Sequence, residues 1–234
     1  MNRTVLSLGV LALCLLFSPA LKAEQLIWGG KLNQLEYRFG DKDTNVMAWD
    51  GDAVVGTDDL KFVLRSTGEF ATKTDKMEKL ETQARLQMPI STFFDAVGGI
   101  RVDTPDGPDR VHGVLGVHGL APQWFEVDAD LFVSDHPSFR FEADYEALIT
   151  NYLILTPSFD IDLPLRDDRA INAGAWGPKM EIGVRLRYDL VDRAVAPYIG
   201  VHYERYFGES KRLREAGGEN ADGLFFVTGL RLMF

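Results

Sequence analysis

From about Leu26 onward, turn-forming residues cut the chain into segments of roughly 10 to 13 residues, the size of tilted membrane strands. No apolar run in that stretch approaches the ~20 residues of a membrane-spanning helix. Within the segments apolar and polar residues alternate, and a strand sends successive side chains to opposite faces. In WFEVDADLF, Glu126, Asp128 and Asp130 oppose Phe125, Val127, Ala129 and Leu131. In FRFEADYEAL, Arg140, Glu142, Asp144 and Glu146 oppose Phe139, Phe141, Ala143, Tyr145 and Ala147. KMEIGVRLRYDL repeats the split, and GLFFVTGLRLMF places Arg231 opposite Phe226, Leu230, Leu232 and Phe234. Two architectures accept such a pattern: a barrel with lipid outside and polar groups inside, or a soluble sandwich with its charged face in water.

The links between segments favour the barrel. Strands are expected near Leu26–Phe39, Thr44–Val55, Leu60–Phe70, Met77–Met88, Thr92–Asp103 and Arg110–Gly119. The second half supplies Trp124–Ser134, Phe139–Leu148, Tyr152–Leu163, Lys179–Leu190, Val195–Phe207 and Gly223–Phe234. If the first strand starts in the periplasm, the short links GTDD, PIS, LAPQ, TN and VDRA fall on that side. The long links DTPDGPDR, RDDRAINAGAWGP and GESKRLREAGGENAD then fall outside. Outer-membrane barrels sort their loops this way and a sandwich has no reason to. Aromatics near segment ends, among them Trp28, Tyr37, Phe39, Phe94, Trp124, Tyr152 and Phe234, suit interfacial girdles. The expected fold is an all-β transmembrane antiparallel barrel of about 12 strands with both termini periplasmic. Pro157 and Pro197 fall within or near expected strands, where a missing N–H weakens the ladder.

Residues 1–23 read as a secretory signal peptide: Arg3 as a positive start, Val5 to Phe17 as an apolar core, and Ala20 or Ala23 for cleavage. The barrel domain is then 24–234, in the bacterial outer membrane. Cys14 is the sole cysteine and lies in the leader, so the mature chain has no thiol for disulfides, thiolate metal sites or a cysteine nucleophile. A net charge of −10, more negative without Arg3 and Lys22, argues against nucleic acid as a partner and in favour of cations.

The inward parity collects the candidate metal ligands. His112 and His118 lie too far apart along one strand to share an ion. Hairpin pairing across LAPQ is expected to bring His118 near Glu126 and His112 near Asp130, with Asp128 beside them, and His202 sits on the inward parity of VHYER. Either pair would hold a soft or borderline cation with a third ligand, or make a plain His–carboxylate bond. A barrel this size is largely filled by its own side chains, so most inward charges are expected to form structural ion pairs. A catalytic alternative rests on His136 and Ser138 at an external turn, where an outer-membrane phospholipase carries a His-x-Ser pair. Asn151, the nearest asparagine downstream that could orient the imidazole, sits in a turn at the opposite end, and turn chemistry alone accounts for Asp-His-Pro-Ser.

VLGVHGLAPQWFEVDADLFVS (Val114–Ser134) and RLRYDLVDRAVAPYIGVHYERYFG (Arg185–Gly208) resemble the copper resistance protein B family, a similarity running from about Trp49 to Phe234. The resemblance implies an outer-membrane barrel concerned with copper tolerance, not an enzyme. Its partners would be outer-membrane lipid, copper ions and periplasmic copper-handling proteins. Members of that family often carry a Met- and His-rich region before the barrel. Between Ala23 and Trp49 this chain has Met47 as its only methionine and no histidine, so a copper role falls to the barrel or to a segment supplied by another protein.

Overall fold

Each alternating segment of the sequence is a strand in the computed structural model, which describes residues 25–41, 44–104, 107–190 and 193–234; the expected leader, 1–23, lies outside the described residues. The strands are β1 (Ile27–Gly40), β2 (Val46–Gly56), β3 (Lys61–Ala71), β4 (Lys76–Pro89), β5 (Phe94–Thr104), β6 (Arg110–Ala121) and β7 (Phe125–Val133). They continue as β8 (Ser138–Asp144), β9 (Ala147–Leu148), β10 (Leu153–Pro164), β11 (Lys179–Tyr188), β12 (Val195–Tyr206) and β13 (Asp222–Met233). β8 and β9 both pair with β10 and are two parts of one stave. Twelve antiparallel staves therefore close through β1 against β13 and β10 against β11. No described helix is long and apolar enough to cross a membrane.

The molecule is packed inside out. Leu64, Leu86, Ile100, Val111, Leu115, Ile199 and Phe226 are exposed on the outer wall, whereas Glu36, Glu81, Arg85, Asp130 and Arg187 are buried. Lipid is the only solvent that makes this burial favourable, because an apolar girdle in water would forfeit the hydrophobic term that drives folding. Trp28, Trp124, Tyr152 and Phe234 are exposed at the end where the described chain begins at Gln25 and ends at Phe234, and Phe39 at the other. The loops fall at the ends the sequence predicts, but DTPDGPDR leaves only 105–109 as a connection, shorter than 189–194 at the terminal end. The long connections 165–178 and 207–221, the latter carrying helix α1 (Gly208–Ala216), lie at the end opposite Gln25 and Phe234.

Local chemistry explains the irregularities. The interruption between β8 and β9 lies opposite Pro157: Tyr145 N–H donates to the Pro157 carbonyl at 3.1 Å, and proline has no N–H to return the bond. Gly116 faces the lumen, and a Cβ there would stand 2.0 Å from Asp130 Oδ1, so the glycine makes room for that carboxylate. At the seam, Gly30 exchanges two backbone hydrogen bonds with Phe234, at 2.8 and 3.0 Å, under the Phe234 ring.

Candidate functional site

The lumen holds a cavity of about 940 Å³ lined by residues from both ends of the barrel, among them Trp124 and Glu126 at the terminal end and His136 and Asp168 at the loop end. Its walls differ, and strand register is the reason. In β5 to β12 one continuous set of cross-strand neighbours is Asp95, His118, Asp128, Glu142, Asp160, Glu181 and Glu204, each directly opposite the next. Directly opposite residues on one face have Cβ atoms ~5 Å apart. Because barrel staves tilt, this rung climbs the wall obliquely. Asp95 lies near the terminal end of β5 and Glu204 near the loop end of β12, so the row runs from one mouth toward the other.

Like charges so placed repel, and the fold answers with cations along most of the row. Lys61 sits 3.0 Å from Asp95. His118 Nδ1 lies 3.0 Å from Asp128 Oδ2, and Asp128 also meets Arg85 at 3.0 Å and Arg65 at 3.3 Å. Arg65 reaches Glu142 at 3.1 Å, while Lys179 bridges Glu181 at 2.7 Å and Glu204 at 2.8 Å. The side chain of Asp160, in the middle, has no hydrogen bond or ion pair among the described residues, and neither does that of Asp144, which stands opposite Glu126 and Ser158. Both carboxylates line the cavity.

The remaining walls are filled and neutralised. Glu36 receives Arg38 at 2.7 Å, Arg185 twice at 2.9 Å and the Tyr198 hydroxyl at 3.0 Å. Glu81 is held by Arg101 at 2.9 Å and by both terminal nitrogens of Arg140, at 2.8 and 3.0 Å. The Phe132 ring, fully buried, lies beneath the guanidinium groups of Arg101 at 4.2 Å and Arg140 at 5.1 Å. These are ion-pair networks with an aromatic floor, and they narrow the lumen to the cavity beside the acidic row.

The expected ligands are distributed over this architecture rather than gathered. His118 faces Asp128, not Glu126, and His112 faces Ser134 at 2.9 Å and Asp103 at 3.3 Å, not Asp130. The turn accounts for both differences. Pro122–Trp124 forms the loop, with Gln123 and Trp124 at positive φ, so the hairpin centres on Gln123; the partner of His118 moves by two residues and that of His112 by four, both even shifts. An even shift preserves the face, so all remain inward. Glu126 pairs with Lys31 at 3.3 Å, Asp130 with Arg85 at 3.0 Å, and His202 Nε2 lies 3.2 Å from Glu181 Oε2. Among the described residues no three His, Cys, Asp or Glu side chains form a ready-made metal cluster. His136 Nδ1 is engaged by Arg110 at 3.0 Å, and no hydrogen bond joins it to Ser138 among the described residues.

Glu36, Arg38, Lys179 and Phe132 line or fill the lumen and are absent from the sequence reading. In β1 the ladder slips between Leu32 and Gln34, so inward parity changes midway and no single alternation exposes Glu36 and Arg38. Phe132 shares parity with Asp128 and Asp130, which was the available signal.

A closed barrel with lipid-facing apolar residues and a charged lumen defines a porin-like transmembrane β-barrel. In keeping with that, the NanC porin structure superposes with a TM-score of 0.54 over 88% of this chain and 99% of that one, at 12% identity. The chain belongs to the copper resistance protein B family, whose model, described as copper resistance protein B precursor, matches residues 26–234. Copper resistance protein B of Escherichia coli is 32% identical over 205 residues, covering 87% of this chain and 68% of that protein. The copper resistance protein B homolog of Pseudomonas syringae pv. tomato is 33% identical over 204 residues, covering 86% and 68%.

Proposed function

We propose that this protein sits in the bacterial outer membrane after loss of its leader and handles copper there, by binding it or letting it pass along the acidic row of its lumen. Family membership supports a role in copper resistance. The observation that carries the finer reading is the unbroken succession Asp128, Glu142, Asp160, Glu181 and Glu204, in which Asp160 lacks a cation of its own. In a low-dielectric wall such a gap attracts a cation more strongly than the same carboxylates would in water.

His118 beside Asp128 supplies an imidazole at the terminal-end approach to the row, a donor pair suited to Cu(II). His112, His202, Glu126 and Asp130 contribute as further polar groups of the lumen; each has a protein partner that copper would have to displace. The ion is cargo here. Lipid contacts the girdle, and periplasmic copper-handling proteins are the expected exchange partners.

Copper sensitivity of a deletion strain complemented with wild type, Asp160→Asn, Asp144→Asn and His118→Ala tests the reading. Deletion should sensitise the cells and wild type should restore tolerance. The two Asp variants should restore it only partly, and His118→Ala should fall between. A deletion strain as tolerant as its parent ends the copper reading; tolerant point variants leave copper resistance standing and remove the row as its route.

A further inference from the structure

Loop 165–178, between β10 and β11, folds over the outer mouth. Ile171, Asn172 and Ala173 line the cavity from above, and Ile171 reaches the β5–β6 connection, where a Cβ on Gly107 would stand 2.9 Å from its side chain. The loop is braced at its base. Leu165 N–H donates to the Pro137 carbonyl at 2.9 Å, Arg166 to the Asp135 carbonyl at 3.1 Å, and buried Ser210 of α1 bonds Gly174 and Gly177. At its tip, past β8 and β7, it meets the barrel wall through buried Asp168, which accepts from Arg110 of β6 at 2.6 Å and from Ala170 N–H of its own turn at 3.2 Å, while Asn172 Nδ2 donates to Glu219 of the 207–221 connection at 2.9 Å.

The same guanidinium touches His136. Arg110 Nη1 lies 3.0 Å from His136 Nδ1, so the ring must be neutral there with its lone pair toward Arg110, since a guanidinium can only donate. The charged groups around this imidazole are Arg110 from β6, Arg166 and Asp168 from the loop, and Asp135 from its own turn; Ser134 Oγ accepts its backbone N–H at 3.0 Å. We infer that loop 165–178 is a lid over the lumen, latched by Arg110 and Asp168, and that protonation of His136 releases the latch. A proton on Nδ1 removes the acceptor and sets two cations in contact, a juxtaposition that separates them. Arg110 is the partner both groups share, so its displacement loosens Asp168 and the lid tip together. Imidazole is the side chain whose charge changes on the acid side of neutrality, so pH 8 and pH 5.5 are the conditions to compare.

Electron–electron distance measurement between spin labels at Asp109→Cys and Arg169→Cys, both exposed, tests this on the full mature barrel in lipid. With the leader removed no native thiol competes for label. The expected result is one narrow distance at pH 8 and an added longer population at pH 5.5. His136→Gln should hold the narrow distance at both values, and Asp168→Asn should show the longer population already at pH 8. Heat-modifiable gel mobility of each variant confirms a closed barrel before its distances are compared. An unchanged wild-type distribution between the two pH values overturns the inference, as does a His136→Gln protein that responds like wild type. An Asp168→Asn lid as narrow as wild type at pH 8 shows that the latch is elsewhere and also overturns it. None of these outcomes depends on copper.

Discussion

Two carboxylates on the inner wall, Glu36 and Asp160, have the same chemistry and opposite surroundings. Glu36 is buried and saturated by Arg38, Arg185 and Tyr198, whereas Asp160 faces the cavity between Glu142 and Glu181 with no ion pair among the described residues. A saturated carboxylate cements β1 to β11 and β12 and has no lone pair to offer a passing ion. An unsaturated one is a cost to the fold that a mobile cation can offset. The sign of a lumen residue therefore says little about its role; its partners decide.

Breaking the saturated side should have the largest effect. Glu36→Gln removes the charge that holds two buried guanidinium groups and should destabilise the barrel by roughly 3–5 kcal/mol, the cost of leaving buried charges unpaired. The temperature at which heat-modifiable mobility is lost reads this directly, and a midpoint equal to wild type would break the contrast. Gly116→Val comes next: the new side chain must displace Asp130, and through it Arg85, so a loss of about 1–3 kcal/mol is expected in the same assay.

Asp160→Asn should be close to neutral for stability, within about 0.5 kcal/mol or slightly stabilising, because it relieves repulsion and breaks no pair. Its effect belongs in the current: reversal potentials in a salt gradient should shift toward lower cation preference wherever the reconstituted protein conducts. Equal selectivity in wild type and Asp160→Asn would mean that the paired arginines set the field. The smallest change is expected from Glu126→Gln, whose half-exposed pair with Lys31 at the mouth contributes ~1 kcal/mol or less and is screened by salt.

Much of this molecule is legible from its sequence. The twelve staves lie where alternation and turn residues put them, because lipid on one side and charge on the other make parity a hard constraint. Loop sorting is legible for the same reason: long polar segments stay out of the bilayer. Pro157 was visible as a weak point, and the break between β8 and β9 is where it acts. The row was not visible as a row, since each residue's neighbour depends on the register of successive strand pairs. The slip in β1 hid Glu36 and Arg38, and RDDRAINAGAWGP shows only loop composition with nothing to mark Asp168 as a tether to Arg110.

The turn at Pro122–Trp124 has a consequence larger than its three residues. Parity protects the inside from the outside, and a two-residue slip of a hairpin leaves every side chain on its proper face. Such a slip nevertheless changes every neighbour: His118 would lie beside Glu126 in place of Asp128, and the succession from Asp95 to Glu204 would be cut at β6. The row thus behaves like a message read in frame, where each letter can be correct and the sentence still lost. What keeps the frame is a pair of left-handed residues, Gln123 and Trp124, in a turn outside the row, so a change of loop length there would rewrite the lumen without altering one of its charges.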